Sequence, residues 1–123
     1  MKRASLQEMT VEQLVEQFAA VTLDQDDAVR RNANAKYGRL YQRMRALEHE
    51  LKGRAGEQRR ALLRLYRHAN VQVRLAAAKA TLAVAPEEAR RMIQTIADSH
   101  DYPQAGDAGM CLVALERGIF KPT

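Results

Sequence analysis

The sequence predicts an all-α protein, a short stack of helical hairpins with about six helices, and three observations carry that reading. Ala, Leu, Arg, Glu and Gln dominate while Ile and Thr are sparse and Trp is absent, which favours helices over strands. Apolar residues recur at spacings of three and four along most of the chain. Glu57, Arg59, Arg60, Leu62 and Leu65 align with Glu88, Arg90, Arg91, Ile93 and Ile96, and Leu75, Ala78 and Leu82 align with Ala108, Cys111 and Leu115, the self-similarity of a helical repeat.

Each element has a local reason. Thr10 and Gln13 form a capping-box pattern, and Val11, Leu14, Val15, Phe18 and Val21 then share one side of a helix expected over about 11–23. Asp24, Asp26 and Asp27 suit the positive end of a second helix, whose stripe is Ala33, Tyr37, Leu40, Met44, Leu47 and Leu51 and whose expected stop is Gly53. A third helix is expected over about 57–67, with Leu62, Leu65 and Tyr66 inward.

Asn70 is a good N-cap for a fourth helix carrying Val71, Val73, Leu75, Ala78 and Leu82, and its alanines let a neighbour approach closely. Pro86 fits the first turn of a fifth helix with the stripe Ala89, Met92, Ile93 and Ile96. The sixth is expected between Pro103 and Arg117, ended by Gly118, with Ile119 and Phe120 folding back on the core. At 123 residues the chain has the size of one domain, with residues 1–9 expected as a mobile leader. Three hairpins of this size imply a three-layer right-handed stack.

Several chemistries lack their residues. His49, His68 and His100 are scattered and Cys111 is the one cysteine, so neither a metal site, a disulfide nor a thiol redox motif is expected, and Cys111 reads as a small core residue. Glu87 with Glu88, and Asp24 with Asp26 and Asp27, are explained by helix dipoles without acid–base work. Ser5 and Ser99 sit in no nucleophile motif, and no phosphate-binding glycine loop occurs. A non-enzymatic chain without cofactors is expected. No apolar run approaches the ~18 residues of a bilayer span, and MKRASLQEMT lacks a secretory apolar stretch, so a cytoplasmic location is expected and no membrane partner.

The net charge of +5 is unevenly spread. Residues 1–29 hold two basic and six acidic residues, residues 30–67 twelve and three, and residues 68–123 six of each. The middle stretch therefore supplies the candidate contacts with a partner: Lys36, Arg39, Tyr41 and Arg43 on the second helix, and Arg60, Arg64 and Arg67 on the third. Arg74 and Asp107 occupy equivalent repeat positions and are expected to form a structural ion pair between inner helices.

The block VQVRLAAAKATLAVAPEEARR resembles a HEAT-type repeat, in which a valine-arginine pair opens the inner helix and small residues follow. Over about residues 8–123, and most specifically in QVRLAAAKATLAVAPEEA and YPQAGDAGMCLVALERGIFKPT, the chain is similar to a family of short bacterial proteins known only as a domain of unknown function. The resemblance implies kinship with proteins encoded beside polymorphic Rhs-type toxins, where a small partner neutralises the toxin domain.

The leading expectation is thus a non-catalytic protein-binding module, most specifically an immunity protein that binds its cognate toxin one to one. The alternative is nonspecific nucleic-acid binding through the arginine-rich surface. A third possibility is self-association through apolar surface at the end of the stack, although a monomer is the default.

Overall fold

Thr10 starts the first long helix, α1 (Val11–Arg30): its hydroxyl accepts from the Gln13 N–H at 3.1 Å while Gln13 Oε1 accepts from the Thr10 N–H at 2.8 Å. The computed structural model describes residues 5–123, and every regular element among them is helical. The chain divides into two compact units between Ala61 and Leu62.

In the first unit, α1 runs past the stop expected near Leu23 to Arg30. The aspartates assigned to the next helix belong to its last turns: Asp26 pairs with Arg30 at 3.2 Å and Asp27 with Arg31 at 2.9 Å. An acid followed four residues later by a base near a helix C-terminus satisfies both side-chain pairing and the dipole, so the cluster extends α1 rather than starting α2. Asn32, at a φ of 54°, then turns the chain, a left-handed conformation that asparagine tolerates.

The second helix, α2 (Asn34–Gly53), ends on the expected glycine and packs along α1. Leu14, Val15, Phe18, Val21 and Ala28 of α1 and Leu47 and Leu51 of α2 are buried, whereas Tyr37, Leu40 and Met44 in the first half of α2 stay half-buried. Leu6–Glu8, in the stretch expected as a leader, form one 3-10 turn whose Leu6 carbonyl accepts from Arg54 at 2.9 Å; residues 1–4 of that leader lie outside the described residues.

The expected third helix is a 3-10 segment, Gln58–Arg67. Its period of three places Arg59, Leu62 and Leu65 in one buried row, a register that an α-helix would break. Asn70 then caps α3 (Val71–Ala80), accepting from the N–H groups of Gln72 at 2.8 Å and Val73 at 3.2 Å. This helix stops before Leu82, because the Thr81 hydroxyl bonds back to the Ala77 carbonyl and to the Tyr66 phenol while residues 81–85 turn.

Pro86 opens α4 (Pro86–Ala97) as expected, and α5 spans Gln104–Glu116. Leu75, Ala78 and Leu82 share one core with their repeat equivalents Ala108, Cys111 and Leu115, joined by Ala89, Ile93 and Ile96. Eight residues of α3 are buried, and both α4 and α5 pack against it.

Gly118, at a φ of 69°, ends α5. Ile119 and Phe120 do not fold back on the core: they are 74% and 39% exposed. Both their N–H groups donate to the Ala114 carbonyl, at 2.9 and 3.1 Å, and closing the helix end in this way turns the side chains outward. No described helix is long and apolar enough to cross a membrane.

Candidate binding surfaces

Lys36, Arg39 and Arg43 follow one another on α2 at spacings of three and four, which puts them in one row. Tyr41 is two residues from both arginines and so lies about 160° round the helix from them. It stacks instead on Tyr37, four residues back, with ring centroids 6.4 Å apart. The set expected on this helix therefore divides into a basic flank and an aromatic flank on opposite sides of the apolar stripe. Arg43 is half-buried and donates to Gln17 of α1 at 3.2 Å, while Lys36 and Arg39 are exposed.

The basic stretch is partly neutralised by its surroundings. Arg30, Arg31, Arg45, Arg54 and Arg59 form ion pairs with Asp26, Asp27, Glu48, Glu50 and Glu57 respectively, at 2.6–3.2 Å. None of these five arginines is a candidate contact. Among the described residues Lys36, Arg39, Arg64 and Arg67 form no ion pair, and all four are exposed; Arg60 is exposed as well. In the 3-10 segment Arg64 and Arg67 are three apart and share a row, whereas Arg60 falls in the row of Leu63 and Tyr66.

Two carboxyls in this unit titrate in opposite directions. Burial pushes Glu48 above the usual glutamate range, against the pull of Arg45, Arg59 and Lys52. Hydrogen bonds from Arg59 hold Glu57 below it.

In the second unit the expected pair of Arg74 with Asp107 is replaced by two other contacts. Asp107 pairs with Lys79 at 2.7 Å, linking α5 to α3. Arg74 donates to the carbonyls of His68 and Ala69, at 2.9 and 3.1 Å. Side chains on a helix lean toward its N-terminus, so an arginine in the first turn of α3 reaches the preceding loop, and the lysine more than a turn later meets α5. Arg74 is structural, but as a staple of the 68–70 break. Buried Gln104 donates to Gln72 at 3.0 Å, a second α5–α3 link with no local sequence signal.

The surface missed by sequence reasoning is the outer face of α5. Met110 and Ile119 are each 74% exposed, and with Val113, Gly106, Gly109 and Ala97 they line a shallow apolar groove of about 630 Å³. Its signal was present: Gly106, Met110 and Val113 recur at four and three on the side of the helix opposite Ala108, Cys111 and Leu115. A smaller cleft of about 290 Å³ lies among Tyr66, Glu88, Arg91, Met92 and Thr95, where burial pushes the Tyr66 phenol up. Cys111 lies in the core, and burial raises its thiol above the usual range. Among the described residues no three His, Cys, Asp or Glu side chains gather around a potential metal position.

Comparison with known proteins gives a family and a structural relative. Residues 12–116 match the family described as domain of unknown function (DUF2019), and the chain belongs to that family. A crystal structure of the protein RPA1889 from Rhodopseudomonas palustris CGA009 is similar, with 50% sequence identity, a TM-score of 0.94, and 98% of this chain and 100% of that one covered. No curated protein matches the chain.

Proposed function

We propose that this member of the DUF2019 family is a non-catalytic, HEAT-like protein-binding module, and in its most specific form a cytoplasmic immunity protein that neutralises a cognate Rhs-type toxin domain by stoichiometric binding. The observation that carries the reading is the selective pairing of the basic stretch. Five arginines are matched to carboxylates, while Lys36, Arg39, Arg64 and Arg67, and with them Lys52, stand exposed without an ion pair among the described residues. Cations left unmatched in this way suit an acidic protein surface, and steering by such a surface speeds encounter. Occlusion of a toxin needs about 800 Å² per partner and no catalytic group or cofactor.

Nonspecific nucleic-acid binding is the weaker reading. Single strands are held where stacking aromatics and backbone-tracking cations converge, and on α2 Tyr41 lies across the helix from Arg39 and Arg43. Duplex binding through phosphates alone remains the competing outcome of the test.

The test is affinity capture from the native host with tagged protein, scored by mass spectrometry after a nuclease wash. One stoichiometric partner with a toxin domain is the expected result, and Arg39→Glu with Arg43→Glu should weaken that complex at least tenfold. Retention of nucleic acid alone, or release of everything by the wash, overturns the reading. Unchanged affinity in the double variant removes α2 from the interface.

A further inference from the structure

We propose that the outer face of α5 is a twofold interface with a second copy of this chain, the two α5 helices crossing antiparallel about a dyad between Gly109 and Met110. This inference goes beyond the binding reading above and uses a different surface.

The face is large and uncovered. On the groove Met110 and Ile119 are each 74% exposed and Val113 45%, and at its edge Tyr102, whose ring borders Gly106, is 63% exposed. Side chains of this size at those fractions present on the order of 500 Å² of mainly apolar surface, near the upper end of what a monomer leaves in one patch. Two such faces together bury on the order of 1,000 Å², the low end of specific interfaces, which fits a weak, concentration-dependent dimer.

Its pattern is self-complementary. A closed dimer requires that one patch supply both knobs and holes. Gly106 and Gly109 supply the holes: a side chain at Gly109 would meet nothing within 4 Å, and Gly106 is bordered only by the Tyr102 ring at 3.8 Å. Met110 and Val113, on the same outer face, supply the knobs. An antiparallel crossing centred between residues 109 and 110 sets Met110 over Gly109 of the second copy and Val113 over its Gly106. The glycines allow the helix axes to come within about 8 Å.

Charge completes the match. Asp101, before α5, and Arg117, after it, are exposed charges near the two ends of the strip, with exposed Glu116 beside Arg117, and none of the three forms an ion pair among the described residues. Asp101 and Arg117 lie at nearly equal sequence separation on either side of the dyad. The antiparallel crossing therefore brings Arg117 of each copy to Asp101 and the Tyr102 ring of the other, at both ends. A parallel crossing would oppose like charges instead.

The test is sedimentation equilibrium of the full chain over a range of concentrations, with no toxin or other partner present, so it stands or fails apart from the immunity reading. A monomer–dimer equilibrium is expected. Met110→Asp should raise the dimer dissociation constant at least tenfold with an unchanged far-ultraviolet circular dichroism spectrum, since Met110 is outside the core. Arg117→Asp should also weaken the dimer at least tenfold, and adding Asp101→Arg should bring it back to within about threefold of the parent. A monomer at every concentration overturns the proposal, as does a dimer indifferent to Met110→Asp. A charge-swapped double variant no tighter than Arg117→Asp alone overturns the antiparallel arrangement.

Discussion

Phe18, Leu14, Leu47 and Leu51 are the fully buried large apolar residues of the first unit; the second has Leu62, Val73, Leu75, Leu82, Ile93 and Ile96, and sets among them four alanines at zero exposure, Ala77, Ala78, Ala89 and Ala108. The first unit is a hairpin of two helices of 20 residues each; the second folds helices of 10, 12 and 13 residues around one core. The polar links differ in the same sense. Those of the first are mostly pairs three or four residues apart on the helix surface, such as Asp26–Arg30 and Glu50–Arg54. The second joins elements through side chains far apart in sequence, Gln72 with Gln104, Tyr66 with Thr81, and Lys79 with Asp107. Long helices with bulky residues gain most of their order locally and depend on volume being present. Short helices in close contact need the same filling and, in addition, small residues where their backbones meet.

That contrast can be broken by mutation. Phe18→Ala removes the largest fully buried side chain and should cost about 3–5 kcal/mol in a denaturant titration. A loss under about 1 kcal/mol would show that the site is not filled by that ring. Ala78→Leu adds volume where α3 is closely packed and should cost about 1–3 kcal/mol, while the same change at exposed Ala46 of α2 should be nearly neutral. Equal effects at the two alanines would mean that α3 is not closely packed at Ala78.

The smallest effect concerns pH and sharpens the account of the first unit. Glu48 has a raised folded value because of burial, so its ionisation lowers stability as pH rises through that value, and the loss is regained in acid. Glu57 has a lowered folded value because Arg59 bonds it, so it adds stability above the unfolded carboxyl range that is lost as pH falls through the folded value. The two trends oppose each other. Glu48→Gln should therefore make stability climb more steeply from acid to neutral pH, and Glu57→Gln should flatten the climb, in melting temperatures measured across that range. Identical slopes in both variants would mean that neither environment acts as its geometry implies.

Much of the fold was legible because its signals are short-range. The Thr10 and Asn70 caps, the proline that opens α4 and the glycine that ends α5 each act within one turn, where side chain and backbone meet whatever the rest of the chain does. The buried stripe of α4 followed from periodicity, with Met92 only partly covered, and that of α5 from its alignment with Leu75, Ala78 and Leu82. The aspartates of residues 24–27 misled because a carboxylate stabilises a helix start and also pairs with an arginine four residues on. The basic excess in residues 30–67 was inflated for a related reason: Asp26 and Asp27, which neutralise Arg30 and Arg31, lie just outside it.

The candidate contacts were identified by type and spacing, but their grouping was not. Helical geometry separates Tyr41 from Arg39 and Arg43, and the 3-10 register of residues 58–67 separates Arg60 from Arg64 and Arg67. The exposed face of α5 was hidden by the assumption that apolar residues after a helix stop must return to the core. Satisfying the Ala114 carbonyl turned Ile119 and Phe120 outward instead.

The sequence by itself determined the all-α class, the starts of α1, α3 and α4, and which face of most helices is buried, because these depend on free energies realised between residues at most four positions apart. Tertiary structure alone decided that Lys79 rather than Arg74 meets Asp107, that Gln72 meets Gln104, and that α5 keeps a second apolar face in solvent. Each of those outcomes is a choice among partners of similar chemistry and reach. Only the relative placement of the helices makes one of them closer than the rest.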